Sequence, residues 1–203
     1  MTPEERLDAQ MAELVEVTAL VTSSLDPAQI RRRAVEAAVR LVDAERASLL
    51  LTEKRGGRLY FEVALGDGTE ALSRARLVPG QGIAGSVLAS CTPEIVADVA
   101  SDPRQLAGAD AATGYVTRSM LAVPLTCRGE VLGVLEIINK REGAFTARDL
   151  ELAAALAGQV AIAVQNARLF GRLRSAYFET WVYAALLAAV LMAAGGWLLA
   201  AIR

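Results

Sequence analysis

Few side chains in this sequence are equipped for catalysis. All 203 residues pass without a single histidine, so no histidine–cysteine zinc site, no Ser–His–Asp or Cys–His nucleophile and no histidine-ligated haem can be assembled. Two cysteines, Cys91 and Cys127, remain as thiols. With no signal peptide ahead of them (Met1 to Leu20 carries acids and no apolar core), free thiols in a reducing compartment are expected. Gly80-Gln81-Gly82-Ile83-Ala84-Gly85 matches G-x-G-x-x-G, and Asp102 follows Gly82 at about the 20-residue interval of a dinucleotide site. No metal and no cofactor is expected from these residue types, and the composition points to a binding module, not an enzyme.

The elements that would have to position such groups argue against the dinucleotide reading. That fold needs a buried strand before the glycines and a parallel crossover after them. Here a short strand, 74–78, ends in Pro79 before them, and hairpins lie on either side. The glycines instead suit a tight turn and close helix packing. Asp26 followed by Pro27 predicts a helix from 27 to about 43. Within it Arg31-Arg32-Arg33 fans out by about 100° per residue, which suits a solvated face. Ala47–Thr52 and the alternating Leu59, Phe61, Val63 and Leu65 predict a hairpin around Gly56-Gly57. A short helix is expected at 83–89 and a short strand at 95–97. Residues 98–118 show no period and read as a binding loop or lid. Met120–Leu125 and Val131–Ile138 form a second hairpin across Arg128-Gly129-Glu130. Thr146, with Asp149 three residues on, opens a long helix from Ala147. The sum is an α+β domain, an antiparallel sheet flanked by helices.

Two end regions look different. Leu7, Met11, Leu14, Thr18, Val21 and Leu25 repeat at heptad spacing, so residues 1–25 predict a helix able to form a coiled coil. Trp181–Ile202 contains no charged residue; at 1.5 Å per residue it reaches about 33 Å, enough for a bilayer core of roughly 30 Å. Trp181, Tyr183 and Trp197 fall toward its ends. Arg168, Arg172 and Arg174 precede this span and only Arg203 follows it, so the positive-inside bias predicts a single-pass inner-membrane helix with the N-terminal domain in the cytoplasm. Residues 171–180 are expected to form a juxtamembrane helix. Ala185, Ala189 and Ala193 recur on one stripe, which fits either close helix pairing or plain alanine abundance. A formal charge of −2 gives no basic field, so no nucleic-acid partner is expected.

Over roughly 19–170 the residues resemble the GAF domain family. The resemblance rests on Pro79 through Gly85, Asp102-Pro103-Arg104, Thr113 through Leu125, Gly133 through Lys140 and Phe145 through Asp149. Asp102-Pro103-Arg104, Asp110, Thr113-Gly114-Tyr115, Thr117 and Ser119 are similar to the signature of regulatory GAF domains in cyclic-nucleotide phosphodiesterases and some bacterial adenylate cyclases. Asn139, Lys140, Phe145 and Asp149 resemble its second signature. Gln105 stands where those domains usually carry an aromatic residue, and Leu150 replaces the final acid. The resemblance implies a sensory module whose ligand, a cyclic nucleotide or other small molecule, lies under the 98–119 segment. Asp110, Thr113, Gly114, Tyr115, Thr117 and Ser119 are then the candidate contacts, the hydroxyls and the Gly114 backbone reaching a phosphate. The alternative is that these residues only tie the lid down, in a membrane-tethered dimerisation or scaffold module with no ligand. Gly80, Gly82, Gly85, Asn139, Lys140, Phe145 and Asp149 are expected to be structural: Lys140 pairs with Asp149, and Asn139 holds the turn. A third reading, free methionine-R-sulfoxide reductase, meets Ala84 where those enzymes carry a cysteine. Expected partners are the bilayer, a second copy through the N- and C-terminal helices, and an unidentified downstream signalling protein.

Overall fold

The computed structural model describes residues 26–53 and 56–169. The expected coiled coil at 1–25, juxtamembrane helix at 171–180 and membrane span at 181–202 lie outside the described residues. The chain divides into two compact units, Met1–Gln165 and Asn166–Arg203, and the sheet belongs to the first.

Asp26 caps helix α1 (Pro27–Leu41) by accepting the Ala28 N–H at 2.9 Å, and Pro27 supplies the preset first turn. Strands β1 (Ala44–Thr52) and β2 (Leu59–Ala64) form the first hairpin. A 3-10 helix (Thr69–Arg74) and the two-residue strand β3 (Arg76–Leu77) follow. Next come α2 (Gly82–Ser90), β4 (Glu94–Val96), α3 (Ala107–Thr113), β5 (Met120–Cys127) and β6 (Glu130–Lys140). Helix α4 spans Ala147–Leu169. The sheet has six strands in the order β3-β2-β1-β6-β5-β4, with antiparallel pairing throughout. The α+β architecture expected from the sequence is the one observed.

Period-2 alternation gives the sheet two different faces. Leu49, Leu51, Leu121, Val123, Leu135 and Ile137 pack against Ala34, Ala38, Leu152, Leu156 and Val160 of α1 and α4. Leu50, Ala122 and Val134 point the other way, toward α2 and the segments around it. The β5–β6 turn is tight because Arg128 and Gly129 both take positive φ (51° and 80°), the mirror-image turn that matches strand twist. Helix α4 starts in a full capping box: the Thr146 hydroxyl accepts the Asp149 N–H at 3.2 Å and Asp149 accepts the Thr146 N–H at 2.8 Å. Lys140 closes this corner, donating to Asp149 at 2.9 Å and to the Val42 carbonyl at 2.6 Å. Phe145 is buried beside it.

Four local expectations change. Residues 98–118 are not all loop, since α3 lies among them. The strand expected over 74–78 shrinks to two residues because the 3-10 turn takes Arg74. The β2 alternation breaks at Glu62: Leu49 faces Val63 and Leu50 faces Phe61, so one residue is extra. Val63 therefore joins the helix-side cluster while Leu59 and Phe61 stay on the other. Arg31 is not a solvated charge; it pairs with Glu62 at 2.6 Å and is mostly buried. Among the described helices α4 alone is long and apolar enough to cross a membrane, but Leu152, Leu156 and Val160 are packed in the core.

Candidate ligand cavity

The second face of the sheet is not fully covered. A cavity of about 90 Å³ opens above β1 and β6, room for several waters or part of a small ligand. Its floor is set by alternation: Arg46 and Ser48 on β1 and Glu136 and Ile138 on β6 share this face as direct cross-strand partners. Phe61, Leu77, Ile83, Val99 and Met120 give it apolar walls. The 3-10 helix contributes Thr69 and Leu72 to one side of the roof, and α3 with the following segment contributes Ala109, Asp110, Thr113, Tyr115 and Thr117 to the other.

Glu136 is the most unusual group in it. Its carboxylate is buried and accepts one hydrogen bond, from the Ser48 hydroxyl at 2.8 Å. Loss of hydration dominates over that bond and pushes its pKa up to about 7. A carboxyl so placed offers a hydrogen-bonding edge in apolar surroundings, which suits an N–H-bearing ligand group.

The expected contact residues separate into two sets. Asp110, Thr113, Tyr115 and Thr117 line the cavity, whereas Gly114 and Ser119 are not among its lining residues. Asp110 accepts both the Thr117 N–H (3.1 Å) and its hydroxyl (2.8 Å). Thr113 bonds back to the Ala109 carbonyl at 3.0 Å. Gly114 ends α3 in the left-handed conformation. The Ser119 hydroxyl accepts from the Lys140 N–H at 3.3 Å, tying β5 to the end of β6.

Asn139 does not hold the turn after β6, contrary to expectation. Fully buried with φ of 57°, it reaches sideways to the roof. Its amide oxygen accepts from the N–H groups of Arg118 (2.7 Å) and Ser119 (3.2 Å), and its nitrogen donates to the Val116 carbonyl, the Tyr115 hydroxyl and Glu45. Glu45 also takes the Tyr115 hydroxyl and Arg118. The Tyr115 hydroxyl, with Asn139 and Arg118, holds the Glu45 carboxyl down at about 2, while burial pushes the Tyr115 phenol up. Asp102-Pro103-Arg104 is an ion cluster: Arg104 forks onto Glu94 (2.6 and 2.8 Å) and Asp102 (2.7 and 2.9 Å). The guanidinium holds Asp102 down at about 2.

The glycine motif serves packing. A side-chain carbon on Gly85 would sit 2.7 Å from the Val78 carbonyl oxygen, and one on Gly82 would sit 2.6 Å from Leu106; backbone and helix approach closely only because these atoms are missing. Cys91 is exposed at the end of α2, and Cys127 ends β5; neither lines the cavity.

Ser48, Glu136 and Arg46 escaped the sequence reading. The available signal was Glu136 itself, a lone acid in the inward phase of an otherwise apolar strand.

Fold and site together define a cavity-bearing α+β domain: a six-stranded antiparallel sheet with helices on one face and a roofed pocket on the other. The GAF domain model matches residues 26–164, and this chain belongs to the GAF domain family. It is 33% identical over 146 residues, 68% of its length, to a probable 3',5'-cyclic phosphodiesterase, pde-5, of Caenorhabditis elegans. It is likewise 33% identical over 144 residues to a cGMP-specific 3',5'-cyclic phosphodiesterase of Drosophila mojavensis. It spans 20% and 13% of those two proteins. Among solved structures, the GAF domain of a phosphoenolpyruvate-protein phosphotransferase from Coxiella burnetii superposes with a TM-score of 0.73 at 22% identity, covering 80% of this chain and 96% of that one. A free methionine-R-sulfoxide reductase from Neisseria meningitidis bound to its substrate gives 0.68 at 19%, covering 83% and 95%. These two likenesses concern the fold.

Proposed function

We propose that this chain is a non-catalytic sensory module, its domain at 19–170, that binds a small ligand, a purine cyclic nucleotide in the first instance, in the cavity above β1 and β6. The observation that carries this reading is the buried Ser48–Glu136 pair on the floor of a pocket with apolar walls. A purine edge supplies the N–H groups such a carboxyl needs, and Thr113, Thr117 and Tyr115 supply hydroxyls from the roof. The sequence similarity to two phosphodiesterases named for cyclic nucleotides supports the ligand class. The position of Cys91 and Cys127 away from the cavity supports a regulatory role over a reductase one. In this reading Gly114 and Ser119, which do not line the cavity, only shape the roof, while Asp110 borders the ligand.

The uncharged stretch at 181–202 anchors the domain on the cytoplasmic side of the inner membrane, and residues 1–25 pair with those of a second copy. The signal then passes by contact to another protein. Thermal unfolding with cyclic AMP and cyclic GMP tests the ligand: at a hundredfold excess over the dissociation constant the expected stabilisation is about 2.7 kcal/mol. A flat melting temperature across both removes the nucleotide reading and favours a ligand-free scaffold. Protease digestion of the sheet domain from outside intact cells would overturn the membrane orientation.

A further inference from the structure

The roof over the cavity is built in two halves that meet where Gly68 lies against the Thr113 carbonyl; a side-chain carbon on Gly68 would sit 2.6 Å from that oxygen. One side chain from the floor holds both halves. Arg46 donates from Nη1 to the Asp67 carbonyl at 3.1 Å, just before the 3-10 helix, and its guanidinium stacks 3.8 Å from the centre of the Tyr115 ring, just after α3. The fit is close: a side-chain carbon on Gly66, which has φ of 114°, would lie 2.5 Å from the Arg46 guanidinium carbon. Any other residue there would displace the arginine.

Among the described residues Arg46 is the lining cation that pairs with no carboxylate. The other arginine on the cavity wall, Arg104, is saturated by Glu94 and Asp102. Arg46 is half-buried and its contacts are a neutral carbonyl and an aromatic face. Glu136, its diagonal neighbour across β1 and β6, is turned to Ser48 instead. Oxyanions hold a guanidinium more strongly than a carbonyl and a ring do. A negatively charged ligand group entering this pocket meets the carboxylates of Asp110 and Glu136, and among the described lining residues the cation without a carboxylate partner is Arg46.

We propose that Arg46 recognises an anionic oxygen group on the ligand, and that engaging it draws the guanidinium off Asp67 and Tyr115 and so loosens both halves of the roof. The inference rests on reading the cavity as a ligand site. Charge on the ligand thereby becomes the signal, and the roof becomes its first readout.

Amide hydrogen exchange on the full 203-residue chain in detergent micelles tests this without a nucleotide. In Arg46→Met the amides of 66–69 and 113–117 exchange roughly tenfold faster, the loss of a charge-assisted bond and a ring contact, while those of β5 and β6 stay unchanged. Inorganic phosphate at tens of millimolar speeds the same roof amides in the wild type and has no effect in Arg46→Met. If β5 and β6 also exchange faster in Arg46→Met, Arg46→Lys replaces it, keeping the charge while losing the fork, with the same acceleration of the roof expected. Roof exchange unchanged in both variants overturns the proposal, as does a phosphate response equal in wild type and Arg46→Met. Failure of cyclic nucleotides to bind would instead count against the nucleotide reading alone.

Discussion

The two faces of the sheet are made by alternate residues of the same strands, yet they are built to opposite ends. On the helix side, Leu49, Leu135 and Ile137 are sealed under α1 and α4 in one apolar cluster. On the cavity side, Ser48 and Glu136 stand one residue away from those leucines, buried and with few partners. The first face supplies stability that the second can spend on a polar floor and an incompletely filled pocket. A one-residue slip of β1 or β6 would exchange the two roles.

The largest effect that sharpens this contrast lies in the helix-side core. Leu156→Ala removes a fully buried side chain and is expected to cost about 2–5 kcal/mol in urea unfolding; a loss below 1 kcal/mol would mean that this face is not the sealed one. Next comes the pin of the roof. Asn139→Ala removes the fully buried amide that pairs with the backbone at 116, 118 and 119 and should cost roughly 1–3 kcal/mol, with faster amide exchange over 115–119 as its specific mark. Equal acceleration throughout the sheet would show that Asn139 supports the whole fold and not the roof.

The polar floor gives a result of opposite sign. Because the folded pKa of Glu136 is raised to about 7, the native state binds more protons than the unfolded chain between about 4.5 and 7, and this group's contribution falls as pH rises through that window. Glu136→Gln keeps the Ser48 bond and removes the slope, so at pH 8 the variant should be more stable by on the order of 1–3 kcal/mol. Parallel stability curves for wild type and variant from pH 4.5 to 8 would refute the buried-carboxyl account. Glu45 and Asp102 act at the other end: both are depressed to about 2, so their contribution is present above about 4.5 and is lost as pH falls toward 2. Smallest of all, Arg32→Ala breaks an exposed i,i+4 pair with Glu36 and should change stability by no more than about 0.5 kcal/mol, a baseline against which both faces are judged.

How much of this was legible depended on whether the signal was local. The Asp26-Pro27 start of α1, the β5–β6 hairpin and the Thr146–Asp149 capping box are each determined by residues within four positions of one another, and each was readable. Lys140–Asp149 spans nine positions and was also readable, because strand end and helix start had already been located. Asn139 could not be placed in the same way: its partners lie some 20 residues back in the chain and on β1, and nothing in its neighbours reveals them. Helix α3 was hidden for a different reason. Ala107–Thr113 is built almost wholly of small residues, so it carries no apolar period. The cavity was hidden by β2, whose extra residue at Glu62 resets the alternation of its wall, and by single polar residues on β1 and β6 whose inward phase is fixed only once the sheet is assembled.

Strand β6 carries Glu136 in the cavity floor, Asn139 under the roof and Lys140 at the root of α4, all within five consecutive residues. The run spans about 13 Å, and Asn139, with φ of 57°, is the one residue in it that leaves the extended conformation. One short stretch of chain thus borders the pocket, pins its cover and meets the foot of the long helix.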